Sequence, residues 1–429
     1  MGRGGHRRRL GRVRSGNVRP MTDFAASSRP ATGARKTAPA ALPWPEARRV
    51  ATGAGRRLAG VRRPLDEALG GVLDGPLEAL TDLPAFDTSA MDGWAVAGTG
   101  PWRVVGEALA GQCPHPALLE GQAVRIATGA ALPPGATAVI RREHGCATDD
   151  QLRPGVPELP VPGQDVRPRG QECRAGDQLL PTGAAVTPAV LGLAAAAGYD
   201  ELRVVPRPRV ELLVLGDELL GRGLPHDGRV RDALGPLLPP WLRRLGAAVD
   251  GVRRLGDDAE SLFRAVDGSD ADLIVTTGGT ASGPVDFVHP VLRRTGARLL
   301  VDGVAVRPGH PMLLAQLPDG RPFVGLPGNP LAAVSAVLTL VAPVLRALGG
   351  RPEPAAGRAA LADSVPAHPT DTRLVPVALD DRARTAEPLR FHGPAMLRGL
   401  AAADAMAVIP PGGTAERGTE GEVLVLDWE

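Results

Sequence analysis

One lysine, Lys36, stands in 429 residues, so any anion contact that lysine usually makes falls here to arginine, histidine or backbone amides. Aromatic residues reach only 3%, which leaves Ala, Val and Leu to fill the cores. The three cysteines, Cys113, Cys146 and Cys173, form neither a close pair nor a metal-ligand spacing. That pattern excludes a disulfide framework and points to a reducing cytoplasm. No run of about 18 uncharged apolar residues is present, so no membrane segment is expected. Charge is nearly balanced at +2, with much of the arginine excess in the first 35 residues, and nucleic-acid binding by the body is not indicated. No G-x-G-x-x-G opens a helix after a strand, which argues against a nicotinamide-dinucleotide enzyme, and no nucleophile elbow or Ser/His/Asp order stands out.

Glycine (55) and proline (44) are abundant, and the length exceeds what one core supports, so several domains are expected. Residues 1–42, rich in Arg, Pro and Ala and without hydrophobic periodicity, read as a disordered basic tail. Residues 43–85 mix helical spacing with short strand-like runs. Residues 86–166 alternate short Val-rich runs with turns and read as a small β-rich unit. The stretch 187–205 predicts a short helix with Thr187 as N-cap, Pro188 at its first position and Gly198 past its end, then a strand. From 208 to 350, buried Val/Ile/Leu strands alternate with helices, the pattern of a parallel sheet covered on both faces. The helix expected at 231–245 contains Gly235, Pro236, Pro239 and Pro240, which predicts an interruption or a late start. After a Pro/Ala/Gly linker, 355–429 reads as a C-terminal β domain. The fold class is thus α/β and multi-domain.

Ligands of α/β sheets bind beyond the carboxyl ends of the strands, where loops expose amides and helix N-termini. VLGDELL, VTTGGTASGPVD and GLPGNP all stand at such ends. Their glycines let main chain approach an anion, and their carboxylates suit Mg²⁺ bridging phosphate oxygens. In the β-rich region, FDTSAMDGWAV and VRIATGAALPPGATAVI place Asp92, Thr128 and Gly129 in turns. Taken singly, each segment is more often an ordinary turn, a solvated acidic pair or a helix start.

Seven segments in fixed order, from FDTSAMDGWAV and VRIATGAALPPGATAVI through RPRGQECRAGD, PRVELLVLGDELL, LIVTTGG with its following DF, RPGHP and GLPGNPLAAV, resemble the MoeA/gephyrin E-domain family over residues 44–429. The resemblance implies a MogA-like molybdopterin-binding domain at 208–350, flanked by an elongated split domain formed by 43–85 with 167–207, an inserted β-rich domain at 86–166 and the C-terminal β domain at 355–429, in a homodimer. It implies a molybdopterin molybdenumtransferase: molybdate is inserted into adenylyl-molybdopterin with Mg²⁺, giving molybdenum cofactor and AMP, with a molybdopterin adenylyltransferase as a partner enzyme. Catalytic roles carry over by motif position to Asp92, Thr128, Glu172, Glu218, Asp257 and Asp286, of which Glu218 and Asp286 border the metal. Substrate contacts carry over to Gly129, Arg167, Gly216, Asp217, Gly278, Gly279, Thr280, Ser282, Arg307, Gly309, His310, Pro327, Gly328 and Asn329. Several positions depart from the family pattern. Arg307-Pro308-Gly309-His310-Pro311 replaces KPGKP, Gly303 takes an upstream lysine position, and Pro284 replaces an acid. Thr137 replaces an acid, Glu172 an aspartate and Pro394 a serine. These changes motivate an alternative, a catalytically weak paralogue that binds pterin or assists assembly.

Overall fold

A computed structural model describes residues 41–112, 116–280, 287–380, 382 and 384–428. The described chain opens with the strand Leu42–Pro43 and helix α1, Trp44–Ala54, whose Pro45 suits the first turn. Trp44, Ala47, Ala51 and Ala54 repeat at helical spacing, and this face joins the core of the α/β region rather than the strands that follow it.

The strands Val61–Pro64 and Val72–Leu73 pair antiparallel with Glu201–Val205, and Leu77–Glu78 pairs with Gln178–Leu180. The chain therefore leaves this unit and returns to it about a hundred residues later. Helix α2, Pro188–Ala196, covers it, and Thr187 Oγ1 accepts from Val190 N at 3.3 Å as the sequence predicts. Gly198 follows at φ +101°. The intervening residues form a six-stranded sheet in the order Gly145–Thr148, Gln151–Pro154, Trp102–Ala108, Gln122–Ile126, Gly93–Val96, Ala138–Arg141. Its faces bury Ala95, Val124 and Val139 on one side and Trp94, Trp102 and Ile140 on the other. Gly93 is required by close approach: a methyl there would lie 1.9 Å from Ile140 O.

The α/β region has six strands, and the expectation of a parallel sheet needs one correction. Ala248–Leu255, Arg209–Leu215, Leu273–Thr277 and Pro322–Leu326 are parallel neighbours, but Leu313–Gln316 and Arg298–Asp302 extend the sheet antiparallel. The five residues between Gln316 and Pro322 leave no room for the crossover that parallel pairing demands, and the chain between Asp302 and Leu313 is drawn off to the C-terminal sheet through Val304–Arg307. Helix α3, Leu234–Arg244, starts late, as its prolines predict, yet runs through Pro239 and Pro240. Burial of Leu234, Leu238, Trp241 and Leu242 offsets the two missing main-chain bonds. Helices α4, Ala259–Asp267, and α5, Val288–Arg294, cover the other face through Leu262, Val266, Val288 and Val291.

Helices α6, Pro330–Ala336, and α7, Ala342–Gly349, are joined by a π turn at Val337–Val341. Pro343 has no N–H for the carbonyl of Thr339, and the wider turn accommodates this. Ser335 and Thr339 hydroxyls donate to the carbonyls of Leu331 (3.0 Å) and Ser335 (2.7 Å). Pro330–Gly349 is long and apolar enough to cross a bilayer, but 89% of its apolar window is buried inside the protein, where it forms the core against α1.

In the C-terminal region, Gly357–Leu361, Thr372–Asp380, Thr385–Pro388, Ala405–Ile409 and Glu420–Val425 close into a five-stranded barrel, because Thr372–Asp380 pairs with both Thr385–Pro388 and Ala405–Ile409. Its interior is built from small residues, among them Ala359, Val375, Val377, Ala405 and Ala407. The short helix α8, Arg398–Ala401, packs beside it. Two strands join from elsewhere: Val304–Arg307 lies parallel to Thr372–Asp380, and Leu42–Pro43 lies outside that.

Candidate active site

The sequence-selected residues form two clusters within the chain. The first surrounds the short strand Thr88–Ser89, where three segments meet. Arg167 is in register with Thr88, Ala131 bridges Thr88, and Gly129 N donates to Ser89 O at 2.8 Å. Asp92 Oδ1 accepts from the amide of Thr128 at 2.7 Å and from its hydroxyl at 2.9 Å. The Thr128 amide and hydroxyl, with the charge of Arg142, hold the Asp92 carboxyl below the usual carboxylate range. An ionised acid is therefore fixed in the turn. Glu172 is not hydrogen-bonded to this cluster: its amide donates to Leu83 O at 2.8 Å, and no hydrogen bond links it to Asp92 or Thr128 among the described residues.

The second cluster lies at the carboxyl ends of the parallel strands. Gly216 leaves Arg209–Leu215 at φ +137°, and a methyl there would sit 2.3 Å from Glu218 Oε2. Asp217 N approaches Asp257 Oδ2 at 3.4 Å. Asp257 immediately precedes the cap of α4, and Asp258 is that cap: its carboxylate accepts from Glu260 N (3.3 Å) and Ser261 N (2.8 Å). Asp257 is thereby free to face the Asp217 loop. Gly278 (φ +85°) and Gly279 (φ +67°) turn the chain at the next strand, and Gly278 Cα lies 3.8 Å from where a Gly328 methyl would be. Gly216, Asp217, Glu218, Asp257, Gly278, Gly279 and Gly328 thus share one edge. Ser282 and Asp286, assigned to this loop from the sequence, lie outside the described residues.

Three further expectations change. Thr280 is buried and directs its methyl at Gly325, so it packs the core rather than facing a ligand. Arg307 Nε donates to Asp371 at 2.7 Å, which commits part of the guanidinium to the barrel. The first amides of α6, expected beside Pro327 and Asn329 to meet an anion, are occupied: Leu331 N and Ala332 N donate to Pro394 O at 2.9 and 3.3 Å. The sequence carries no signal for this, because the contact joins residues some sixty positions apart. Gly309 holds φ +116° with Ala332 O and the Ser335 side chain close by. His310 Nδ1 donates to Val304 O at 2.9 Å, and Nε2 has no hydrogen-bond partner among the described residues.

Among the described residues, no group of three or more His, Cys, Asp or Glu is arranged to cage a metal ion. The exposed carboxylates Asp217 and Glu218 are hard oxygen donors beside anion-accepting glycine turns. That set fits Mg²⁺, which binds through one or two carboxylates and completes its shell with water and substrate phosphate.

Comparison with known proteins places three family profiles along the chain: the MoeA N-terminal region (domain I and II) at residues 42–198, a probable molybdopterin binding domain at 211–347, and the MoeA C-terminal region (domain IV) at 358–426. Molybdopterin molybdenumtransferase 2 of Mycobacterium tuberculosis is 37% identical over 309 residues, 68% of this chain and 76% of that protein. The molybdopterin molybdenumtransferase of a Nostoc species is 33% identical over 303 residues, 66% of this chain and 68% of that protein. A crystal structure of the molybdopterin biosynthesis MoeA protein of Pyrococcus horikoshii covers 90% of this chain and 100% of its own, with a TM-score of 0.73 and 26% identity.

Proposed function

The chain belongs to the MoeA family, and from that membership we propose that it inserts molybdate into adenylyl-molybdopterin, giving molybdenum cofactor and AMP. The observation that carries this reading is the convergence of Gly216–Glu218, Asp257, Gly278–Gly279 and Gly328 at the carboxyl edge of the parallel strands. Main-chain amides there suit phosphate, and the carboxylates suit the divalent ion that a pyrophosphate needs. Bound Mg²⁺ supplies charge neutralisation of the phosphoanhydride. Glu218, with Asp286, would hold it. Asp257 orders the Asp217 loop, and Asp92 with Thr128 positions the pterin nucleotide from a second direction.

The two clusters share no hydrogen bond within one chain among the described residues, and a homodimer brings the Asp92 cluster of one protomer to the Glu218 cluster of its partner. The split-domain, inserted-domain and barrel boundaries follow the same family plan. The enzyme works in the cytoplasm and receives its substrate from a molybdopterin adenylyltransferase. The non-catalytic alternative is not favoured, because the relatives carry the transferase name. Complementation of a host lacking this transferase tests the proposal, scored by molybdoenzyme activity. Wild type is expected to rescue, and Glu218→Gln and Asp286→Asn to fail. A folded, dimeric wild type that does not rescue would return the weak paralogue, and equal rescue by both variants would remove Glu218 and Asp286 from the site.

A further inference from the structure

The split unit keeps an apolar core of its own, with Ala68, Leu73, Leu77, Val186, Leu202 and Val204 among its members, and none of these belongs to the core of the α/β region. The chain crosses between the two at 55–60 and 206–208, and both crossings lie against the end of α7. Leu58 N donates to Leu348 O at 2.9 Å, and a methyl on Gly349 would lie 3.6 Å from Pro208 Cδ. Polar groups make the joint there. Arg57, on the first crossing, runs past Gly350, where a methyl would stand 2.7 Å from its Nε, and its Nη1 reaches Asp74 Oδ1 in the split unit at 2.7 Å. Asp74 Oδ2 accepts from Arg203 Nε at 2.7 Å. On the second crossing, Arg207 Nη2 donates to Arg243 O and Ala247 O at 2.8 and 2.7 Å. Arg351 Nη2, just beyond α7, donates to Gly70 O at 2.6 Å.

Of these groups only Asp74 is a carboxylate, and its side chain is 10% exposed. The hydrogen bond from Arg203, with that from Arg57, holds the Asp74 carboxyl below the usual range. Gly60 closes over it: a methyl there would meet Asp74 Oδ2 at 1.9 Å. A cavity of about 780 Å³ opens beside the pair, lined by Arg57, Asp74 and Arg203 from the joint and by Asp272, Asp319 and Arg321 from the turns that enter Leu273–Thr277 and Pro322–Leu326. Among the described residues no hydrogen bond or ion pair links the second three to the first. Asp272 instead accepts from Arg209 N at 2.8 Å, and Arg321 pairs with Asp319 at 2.5 Å. The bonds of the joint therefore fix the spacing of the cavity walls.

We propose that the Arg57–Asp74 pair pins a hinge between the split unit and the α/β region, and that by fixing its angle the pair positions the Asp92 turn for the transferase reaction. Domains without a common apolar core move against each other unless specific contacts hold them. A charge-assisted pair on a mostly buried carboxylate is such a contact. The inserted sheet, with Asp92, is attached through the split unit, which the chain leaves after Leu77–Glu78 and rejoins at Gln178–Leu180, so rotation at the joint displaces Asp92. The positioning half rests on the transferase reading; the hinge does not. Loss of the pin lowers the fraction of molecules in the competent arrangement, which raises KM and leaves kcat, because saturating substrate restores that arrangement.

The hinge is read by double electron–electron resonance on the full-length chain, with nitroxides on the exposed Cys146 of the inserted sheet and on an Arg293→Cys substitution in α5, in a Cys113→Ser background diluted with unlabelled chain. A single narrow distance distribution is expected for wild type at these positions. Arg57→Gln should broaden it and raise KM about fivefold, with kcat held within about twofold. Arg57→Lys, which keeps the charge, should narrow it again. Gly60→Ala, which displaces the carboxylate and leaves both charges in place, should broaden it as well. Arg203→Gln, whose bond lies within the split unit, should change it less. Unfolding midpoints matching wild type verify the folding of each variant, and Gly60→Ala keeps the test available if Arg57→Gln does not fold. A broad distribution in wild type, or one as narrow in Arg57→Gln and Gly60→Ala as in wild type, would overturn the hinge. A broadened distribution with KM unchanged would overturn the positioning role. Rescue by wild type in the complementation assay is scored independently, so failure of the hinge and failure of the transferase reading give different results.

Discussion

Gly216 combines φ +137° with a steric limit set by Glu218 Oε2, so its lack of a side chain fixes where the carboxylate stands. Gly216→Ala is expected to lower kcat/KM about a hundredfold by displacing Glu218 about an ångström, while stability changes by only about 1–2 kcal/mol. Steady-state kinetics beside a denaturation curve separates the two. The Arg141–Asp165 pair shows a different residue-scale effect. The bond from Arg141 lowers the Asp165 carboxyl below its ordinary value. A depressed acid stabilises the fold above its unfolded pKa, near 3.9, and that contribution is lost as pH falls through the folded value. Asp165→Asn should therefore lower the melting temperature at pH 7, and the difference from wild type should shrink below about pH 4. Such pairings are beyond a sequence reading, because Asp165 lies in a loop whose partner is chosen by the sheet.

Local signals set several element boundaries. Thr187, Pro188 and Gly198 mark α2 because capping chemistry acts within a few residues of a helix end. The same signals make Asp257 and Asp258 rivals for the start of α4, and only the geometry of the preceding loop separates them. The long apolar run after Asn329 reads as a helix, but its π turn depends on Pro343 and on two hydroxyl bonds that hydropathy does not register. Thr339 also reaches a second element, since its Oγ1 accepts from Trp44 Nε1 at 3.0 Å and ties α1 to the π turn in a buried site. Thr339→Val should leave that indole N–H without a partner and cost about 1–3 kcal/mol in urea unfolding. Thr339→Ser, which keeps the hydroxyl, should cost less.

At the scale of the molecule, the motifs that fall at strand ends are legible because α/β sheets place ligand loops there regardless of side-chain detail. The antiparallel edge strands and the burial of Thr280 are not, since both are decided by neighbours distant in sequence. The division of the site into two clusters yields a test of assembly. Co-expression of Asp92→Asn with Glu218→Gln should restore about a quarter of wild-type activity, since about half the dimers are mixed and each carries one intact site. Restoration is absent if one chain contributes the whole site, which activity measured on the purified mixture would reveal.

The barrel's borrowed strands bear on the order in which the polypeptide matures. Leu42–Pro43 emerges early in synthesis but reaches its final neighbour only when Val304–Arg307 has been made, and that strand waits in turn for Thr372. The last seventy-odd residues are consequently no transferable cassette. Grafted onto another protein they would present an open flank where Val304–Arg307 should lie, and a ribosome-bound chain halted before Thr372 would carry that same flank unfinished.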